Sequence, residues 1–284
     1  MILNETSSDV QEAKMASRFV NKTVIVTGAS EGVGAAAVRL FHQEGANVVL
    51  AARRQEMLDK QARTLGNRAL AVAADVTDRT QLANVVARTV ETFQGVDVLV
   101  NNAGFNCRGK LAEVDVESLE QIVNVNLKAP IVMTKLTLPH LLASKGAIVN
   151  VASVAGMIPM PDEATYCATK FGLRGFSFSL AEELHDTGVT VSTVAPGPVE
   201  TGFILTDLDE VPDYVFSQPM STAEQVAGLI LDCAADGRRE RAIPKNSARL
   251  ATLGFHLPLL TKLLRPLLSK KGARMKKRYV NWNK

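Results

Sequence analysis

The 284-residue sequence predicts an α/β fold, a parallel sheet with helices packed on both faces. Three observations predict it. Short β-branched runs alternate with longer stretches of helical spacing, which is the pattern of βαβ units. The strand runs carry few polar residues, as strands buried on both faces do. The first run leads straight into a glycine-rich turn and a helix.

Taken in order, "TVIVTG" (23–28) is the first strand, and "GAAAVRLFHQEG" (34–45) is a helix with Val38 and Phe41 on one side, ending at Gly45. "ANVVLAA" (46–52) is the second strand. Further strands are "ALAVAADV" (69–76), "VDVLVNNAG" (96–104), "GAIVNVAS" (146–153) and "VTVSTVAPG" (189–197). Helical stretches fall near 54–65, 78–93, 117–143, 164–186 and 222–235. The crossovers are expected to be right-handed. Ser221-Thr222-Ala223-Glu224 reads as a capping box that opens the last of these helices. No linker or second core interrupts the chain before residue 240. The chain therefore divides into a tail (1–17), one α/β domain (18–244) and a C-terminal extension (245–284).

At 46% hydrophobic and 21% charged residues, composition excludes disordered and collagen-like chains. Three widely spaced cysteines argue against a disulfide framework and suit a reducing, cytoplasmic setting. The four histidines are scattered, and no metal site is expected. The N-terminus mixes acids and bases without a continuous apolar run, so no signal peptide is expected, and Met15 is an alternative start. The net charge of +3 hides an asymmetry. Residues 238–284 hold 14 Lys and Arg against one acid, a balance of +13, while the remainder has 18 basic and 28 acidic residues, a balance of −10.

"TGASEGVG" places Gly28, Gly32 and Gly34, with Ser30 and Val33, between a strand and a helix. Glycines let the backbone approach a phosphate, and the helix N-terminus offers free N–H groups to it. A ligand-free tight turn is the alternative. Where an NAD-binding fold usually carries an acid, about 20 residues on, stands Ala52, followed by Arg53 and Arg54. A guanidinium fork suits a 2′-phosphate, and the absent carboxylate removes repulsion against it. The expected cofactor is NADP(H). Glu31, in the turn, would not help a phosphate.

Tyr166 and Lys170 are four residues apart on a helix and so share a face. A cation about 5 Å from a phenol, at an effective dielectric of about 20, is worth roughly 3 kcal/mol, or about two pKa units. The tyrosine is thereby expected to come into range as a general acid and base. Ser153, at the C-terminal end of its strand, can hold the same substrate oxygen.

"TGASEGVG", "NNAG" at 101–104, "NVN" ending at Asn126, Ser153 with "YCATK" at 166–170, and "PGPVET" at 196–201 together resemble the motifs of the short-chain dehydrogenase/reductase family. The resemblance spans about residues 20–243. It implies one doubly wound, Rossmann-type domain with about seven parallel strands. It also implies a proton relay through Asn126, Ser153, Tyr166 and Lys170, with Asn126 acting through its backbone at a helix break. Lys170 would hold the nicotinamide ribose and Asp75, beside Val76, would contact the adenine. Asn102, Ala103 and Gly104 would line the cofactor ribose. Pro196, Gly197, Val199 and Thr201 would shape the nicotinamide pocket. Homodimers or homotetramers, built mostly through the helices of Asn126 and Tyr166, are implied as well.

The loops expected around the substrate supply Phe105, Met157, Met160 and Phe203, with Ile158, Pro159 and Ile204, an apolar set without convergent charge. An apolar ketone or secondary alcohol is the expected substrate, lipid-, steroid- or polyketide-like. A 3-oxoacyl thioester is the enzymatic alternative, and a non-catalytic NADP(H) sensor or membrane-recruited scaffold the alternative from another class. Asp207, Asp209, Glu210 and Asp213 read as a solvated acidic lid surface. In the extension, Leu253, Leu257, Leu260, Leu264 and Leu267 recur at helical spacing among cations, interrupted by Pro258 and Pro266. Peripheral contact with a membrane, a cover over the substrate pocket and a subunit contact all fit this pattern. Nucleic-acid binding is not expected, because only Tyr279 and Trp282 interleave the basic residues.

Overall fold

The computed structural model describes residues 18–206, 208 and 211–282. The expectations placed on 1–17, Asp207, Asp209 and Glu210, and on the side chains of Leu260, Tyr279 and Trp282, lie outside the described residues. The strands are β1 (Thr23–Thr27), β2 (Asn47–Ala52), β3 (Ala69–Ala73), β4 (Val98–Asn101), β5 (Ala147–Val151), β6 (Thr190–Pro196) and β7 (Glu240–Ile243). The helices are α1 (Gly32–Gln43), α2 (Gln55–Leu65), α3 (Arg79–Phe93), α4 (Val116–Val123), α5 (Ala129–Ser144), α6 (Ala164–Glu183), α7 (Gly202–Leu205), α8 (Ala223–Asp236), α9 (Lys245–His256) and α10 (Pro258–Trp282).

The strands form one parallel sheet in the order β3-β2-β1-β4-β5-β6-β7. Side chains alternate between its faces, and both faces are covered. Val24, Val26, Val48, Leu50, Val100 and Val149 pack with Phe41 of α1, Leu58 of α2 and Ile230 of α8. Ile25, Val49, Leu99, Ile148 and Val191 pack with Leu82 and Val85 of α3, Met133 and Leu141 of α5 and Leu180 of α6. Each such side chain, fully buried, contributes roughly 1.5–3 kcal/mol. This two-sided burial is why the strand sequences read as apolar runs.

Element boundaries follow the sequence reading closely, with four informative departures. The seventh strand, "ERAI", was not placed by pattern. It is a short edge strand, half-buried throughout and carrying Glu240 and Arg241, as an edge tolerates. The capping box sits one residue later than expected. The Thr222 hydroxyl accepts from Gln225 N (3.2 Å) and Gln225 Oε1 from Thr222 N (3.0 Å), while Ser221 bridges to Val199. The helix expected at 117–143 is divided by a π turn, Asn124–Lys128, between α4 and α5. In the extension, Pro258 opens α10 rather than interrupting it, and α10 continues through Pro266.

The extension is folded onto the domain. Lys276 Nζ donates to the Val211 carbonyl (2.8 Å), and Met275 packs on the cluster of Ile204, Val211 and Phe216. Asp213, expected to be a solvated acid, lies 3.7 Å from Lys276 Nζ. Gly272 lies so close to the 213–217 turn that an added Cβ would overlap the Asp213 carbonyl. Among the described residues, no helix is long and apolar enough to cross a membrane. Gly272→Val is expected to push α10 off this turn, at a cost of about 1–3 kcal/mol. Limited proteolysis should then cut within 245–282 while the core fragment survives. Unchanged resistance of the extension would contradict this packing.

Candidate active site

In the sheet order, β1 adjoins β4 where the crossovers change direction, and a crevice opens beyond their C-terminal ends. The glycine turn sits there. Gly28 (φ +66°) and Gly32 (φ +55°) take left-handed conformations that other residues resist. An added Cβ at Gly28 would come 2.9 Å from Ala103 Cα, and one at Gly34 would overlap the Gly28 carbonyl. The turn can therefore close onto α1 only with glycine at both places. The N-cap residue of α1, Glu31, makes no side-chain capping hydrogen bond. The first amides of the helix are left to a ligand, at the positive end of the helix dipole. These residues fit a dinucleotide pyrophosphate.

A cleft of about 1390 Å³ runs from this turn to the extension. That exceeds an ordinary single-ligand pocket. It is lined by Gly28, Ser30, Gly32, Val33, Arg53, Arg54, Asp75, Val76, Asn102, Ala103, Gly104, Ser153, Tyr166, Lys170, Pro196, Gly197, Val199 and Thr201. Phe105, Met160 and Phe203 line it too. Met157, expected on the substrate side, does not. It is buried against Val154, Ala195, Ala248 and Ala251, where α9 covers it.

Several lining residues have structural duties as well. Arg54 pairs with Glu31 (2.7 Å) and donates to Ser30 Oγ (3.1 Å), so it braces the turn and neutralises the acid there. Arg53 is exposed at the cleft and has no ion pair or hydrogen bond among the described residues. Asp75 Oδ1 accepts from Thr77 N (2.9 Å) and Thr77 Oγ1 (2.7 Å). Asn102 Nδ2 donates to the Thr27 carbonyl (2.9 Å), tying β4 to the glycine turn.

Tyr166 and Lys170 lie on one face of α6, both buried. Lys170 Nζ is 5.7 Å from the Tyr166 ring centroid and donates to the Val151 carbonyl at 3.0 Å. Ser153 Oγ accepts from Ala155 N (3.1 Å) and donates to the Pro196 carbonyl (3.4 Å). The spacing argument thus placed the pair correctly, but the electrostatic outcome differs from expectation. Burial pushes the Tyr166 phenol well above its ordinary value, with the Ser153 hydroxyl pulling the other way, and burial pushes Lys170 down to about 8. Desolvation is the leading cause of both shifts. Asn126 is fully buried in the π turn, which is the helix break the resemblance implies. Its Oδ1 accepts from Phe105 N (3.0 Å) and its Nδ2 donates to Phe105 O (2.8 Å), so its side chain fixes the loop after β4. Gly104 is held against this pair of elements. A Cβ there would meet Asn126 Oδ1 at 3.1 Å and Lys170 Nζ at 3.6 Å.

Sequence reasoning missed two features. Arg108 Nε pairs with Glu163 Oε1 at 3.1 Å, with side chains only 10% and 3% exposed, beside the start of α6. Burial raises the Glu163 carboxyl, and Arg108 opposes the rise. No motif links two residues so far apart in sequence. Second, Asn101 Nδ2 donates to Asn150 Oδ1 (2.8 Å), and Asn150 Nδ2 to Ser177 Oγ (2.8 Å). This buried chain locks β4 and β5 to α6. Its signal was an asparagine inside each of two apolar strand runs. The extension walls the cleft through Leu250, Leu253, Leu257, Leu264, Arg265, Leu268 and Lys271, the pocket cover that was one of the placements its leucine pattern allowed.

The family model for short chain dehydrogenases matches residues 22–209, well over half of the chain. The chain belongs to the short-chain dehydrogenase/reductase family. A 3-oxoacyl-[acyl-carrier-protein] reductase of Thermotoga maritima is 36% identical over 231 residues, 77% of this chain and 92% of the relative. A meso-2,3-butanediol dehydrogenase of Serratia marcescens is 35% identical over 224 residues, 77% and 89%. A short-chain dehydrogenase/reductase of unknown function from Caenorhabditis elegans, solved with cofactor, superposes with a TM-score of 0.71 at 32% identity, covering 81% of this chain and 99% of that one. The chain is thus an oxidoreductase of this family by descent, with the Rossmann-type sheet of its relatives.

Two outcomes follow from the buried charges. Glu163→Gln leaves Arg108 unpaired and is expected to destabilise the fold by about 3 kcal/mol. A Glu163→Leu, Arg108→Met double variant should recover most of that in chemical denaturation, and equal instability of both would refute the pairing. Lys170, with its folded pKa lowered to about 8 from 10.5, destabilises the fold fully below pH 8 and progressively less up to pH 10.5. Lys170→Met should therefore melt higher than the parent at pH 7, by up to about 3 kcal/mol. The difference should shrink as pH rises through that window. A pH-independent difference would contradict the burial of a charged ammonium.

Proposed function

We propose that this protein is an NADP(H)-dependent oxidoreductase that interconverts apolar ketones and secondary alcohols, with Tyr166 as general acid and base. The observation that carries this reading is one continuous cleft. It joins a pyrophosphate cradle to an apolar chamber, with Tyr166, Ser153 and Lys170 on its wall.

When bound, the nicotinamide supplies or accepts the hydride. Gly28 to Gly34 and the start of α1 bind the pyrophosphate. Arg53, without another partner among the described residues, takes the 2′-phosphate, while Arg54 holds Glu31 away from it. Lys170, kept in place by the Val151 carbonyl, holds the ribose hydroxyls, and Pro196, Gly197, Val199 and Thr201 surround the nicotinamide. Ser153 Oγ donates to the ketone oxygen. The Tyr166 phenol, kept protonated by burial, donates its proton to that oxygen as the carbon is reduced, and recovers it in the reverse direction. Phe105, Met160, Phe203 and the leucines of the extension exclude water from the chamber. The exposed Val123, Ile131 and Leu142 on the α4–α5 run support assembly as a homodimer or homotetramer.

A second reading is a 3-oxoacyl thioester reductase. It is favoured by Arg265 and Lys271 in the cleft wall, where a phosphate-bearing carrier would meet them, and by the similarity to a 3-oxoacyl-[acyl-carrier-protein] reductase.

The test is NADPH and NADH oxidation across ketones graded from small and polar to long and apolar, with 3-oxoacyl thioesters alongside. Turnover should prefer NADPH and rise with apolar size. Arg53→Ala should raise the KM for NADPH at least tenfold with little change for NADH, and Tyr166→Phe should lower kcat by about 10² or more. Preference for NADH would sink the cofactor assignment, and an unimpaired Tyr166→Phe enzyme would sink the mechanism.

A further inference from the structure

The extension has two apolar surfaces. One lines the cleft, and the other covers nothing among the described residues. Of 17 large apolar residues that are well exposed among the described residues, nine fall between Leu250 and Leu268, so the exposed apolar surface of the molecule is concentrated in α9 and α10. Patches of this kind mark interaction sites. On α10, Leu259, Leu263 and Leu267 are 77%, 74% and 64% exposed. They recur every four residues and so form one face. At spacings of three and four, the same face continues into Lys270, Arg274 and Lys277, all exposed. None of these six side chains lines the cleft. No Asp or Glu follows Glu240 in the chain.

We propose that this face of α10 docks on the surface of an anionic lipid bilayer, with the three leucines entering the acyl boundary and the three cations meeting phosphate headgroups. The chemistry selects this occupant. A row of aliphatic residues followed by cations without acids is the composition of an interfacial helix, and each cation near an anionic leaflet adds attraction. Protein interfaces instead deplete lysine and enrich aromatic residues. A second copy using the same face would set Lys270, Arg274 and Lys277 against their own mates in parallel packing, or against the leucines in antiparallel packing, and either opposes pairing.

The experiment is co-sedimentation of the full chain with vesicles of phosphatidylcholine alone or with phosphatidylglycerol added, at about 0.1 M salt, where screening is moderate. The parent protein should bind the anionic vesicles, weakly or not at all the neutral ones, and less as salt rises. The Leu259→Ser, Leu263→Ser, Leu267→Ser variant should lose at least tenfold in bound fraction, and so should Lys270→Glu, Arg274→Glu, Lys277→Glu. Both should keep the parent's melting temperature within a few degrees, because these side chains are exposed. Three results would overturn the proposal: no binding of the parent to any vesicle, equal binding by parent and variants, or a change of oligomeric state in the leucine variant on size-exclusion chromatography with light scattering. The last would assign the face to contacts between copies.

Discussion

The site depends on holding one ammonium, that of Lys170, where water cannot reach it. A buried cation is costly unless it is hydrogen-bonded, and Lys170 has the Val151 carbonyl at the end of β5. That single contact requires β5 and α6 to keep their relative position to within a fraction of an ångström. The Asn101–Asn150–Ser177 chain supplies the restraint, since a slip of either element would leave buried amides unpaired. The small residues near Lys170 answer the same need. At Gly156 an added Cβ would come 2.7 Å from the Lys170 carbonyl, and at Gly104 it would come 3.1 Å from Asn126 Oδ1, beside the ammonium. Tyr166 is carried by the same helix, so fixing Lys170 also fixes the phenol.

Burial also sets the character of the two groups. The sequence argument weighed only the attraction of the lysine cation for a phenol about 5 Å away, and that would lower the tyrosine. In the folded chain both groups are desolvated, and each is pushed toward its neutral form. A phenol that retains its proton is suited to donating it only when negative charge develops on a neighbouring oxygen, as it does on a ketone being reduced. The Ser153 hydroxyl, which already pulls the phenol downward, is the local group able to share that charge.

Legibility in the sequence followed physical range. The alternation of strands and helices was readable because the strands other than β7 are largely apolar on both faces. The glycine turn was readable because close backbone approach admits nothing larger at Gly28 and Gly34. Tyr166 and Lys170 were readable because helical spacing is local. What could not be read depends on contacts across the fold. Arg108 and Glu163 are joined only by tertiary structure. Met157 sits among lid residues in sequence but is covered by α9, so an apolar residue near a pocket was mistaken for one lining it. The edge strand β7 carries charge and is only half-buried, so it lacks the pattern that betrayed the inner strands. The Glu31 carboxylate, which argued against a phosphate when read alone, is paired with Arg54 across the turn.

The extension shows the same limit most sharply. Its leucines recur with helical period, yet period alone cannot say which of several apolar faces meets the domain. In the structure the leucines separate. Leu264 and Leu268 turn toward the cleft, while Leu259, Leu263 and Leu267 turn away from it. Pocket cover and outward contact are therefore not competing readings of one stripe but the properties of two neighbouring stripes. The inner stripe completes a chamber that the β-sheet alone leaves open, so that an apolar substrate would be enclosed by the same helices whose outer stripe faces solvent. A change to the outer stripe should leave the chamber intact, whereas a change at Gly272, which seats α10 on the 213–217 turn, disturbs both stripes together.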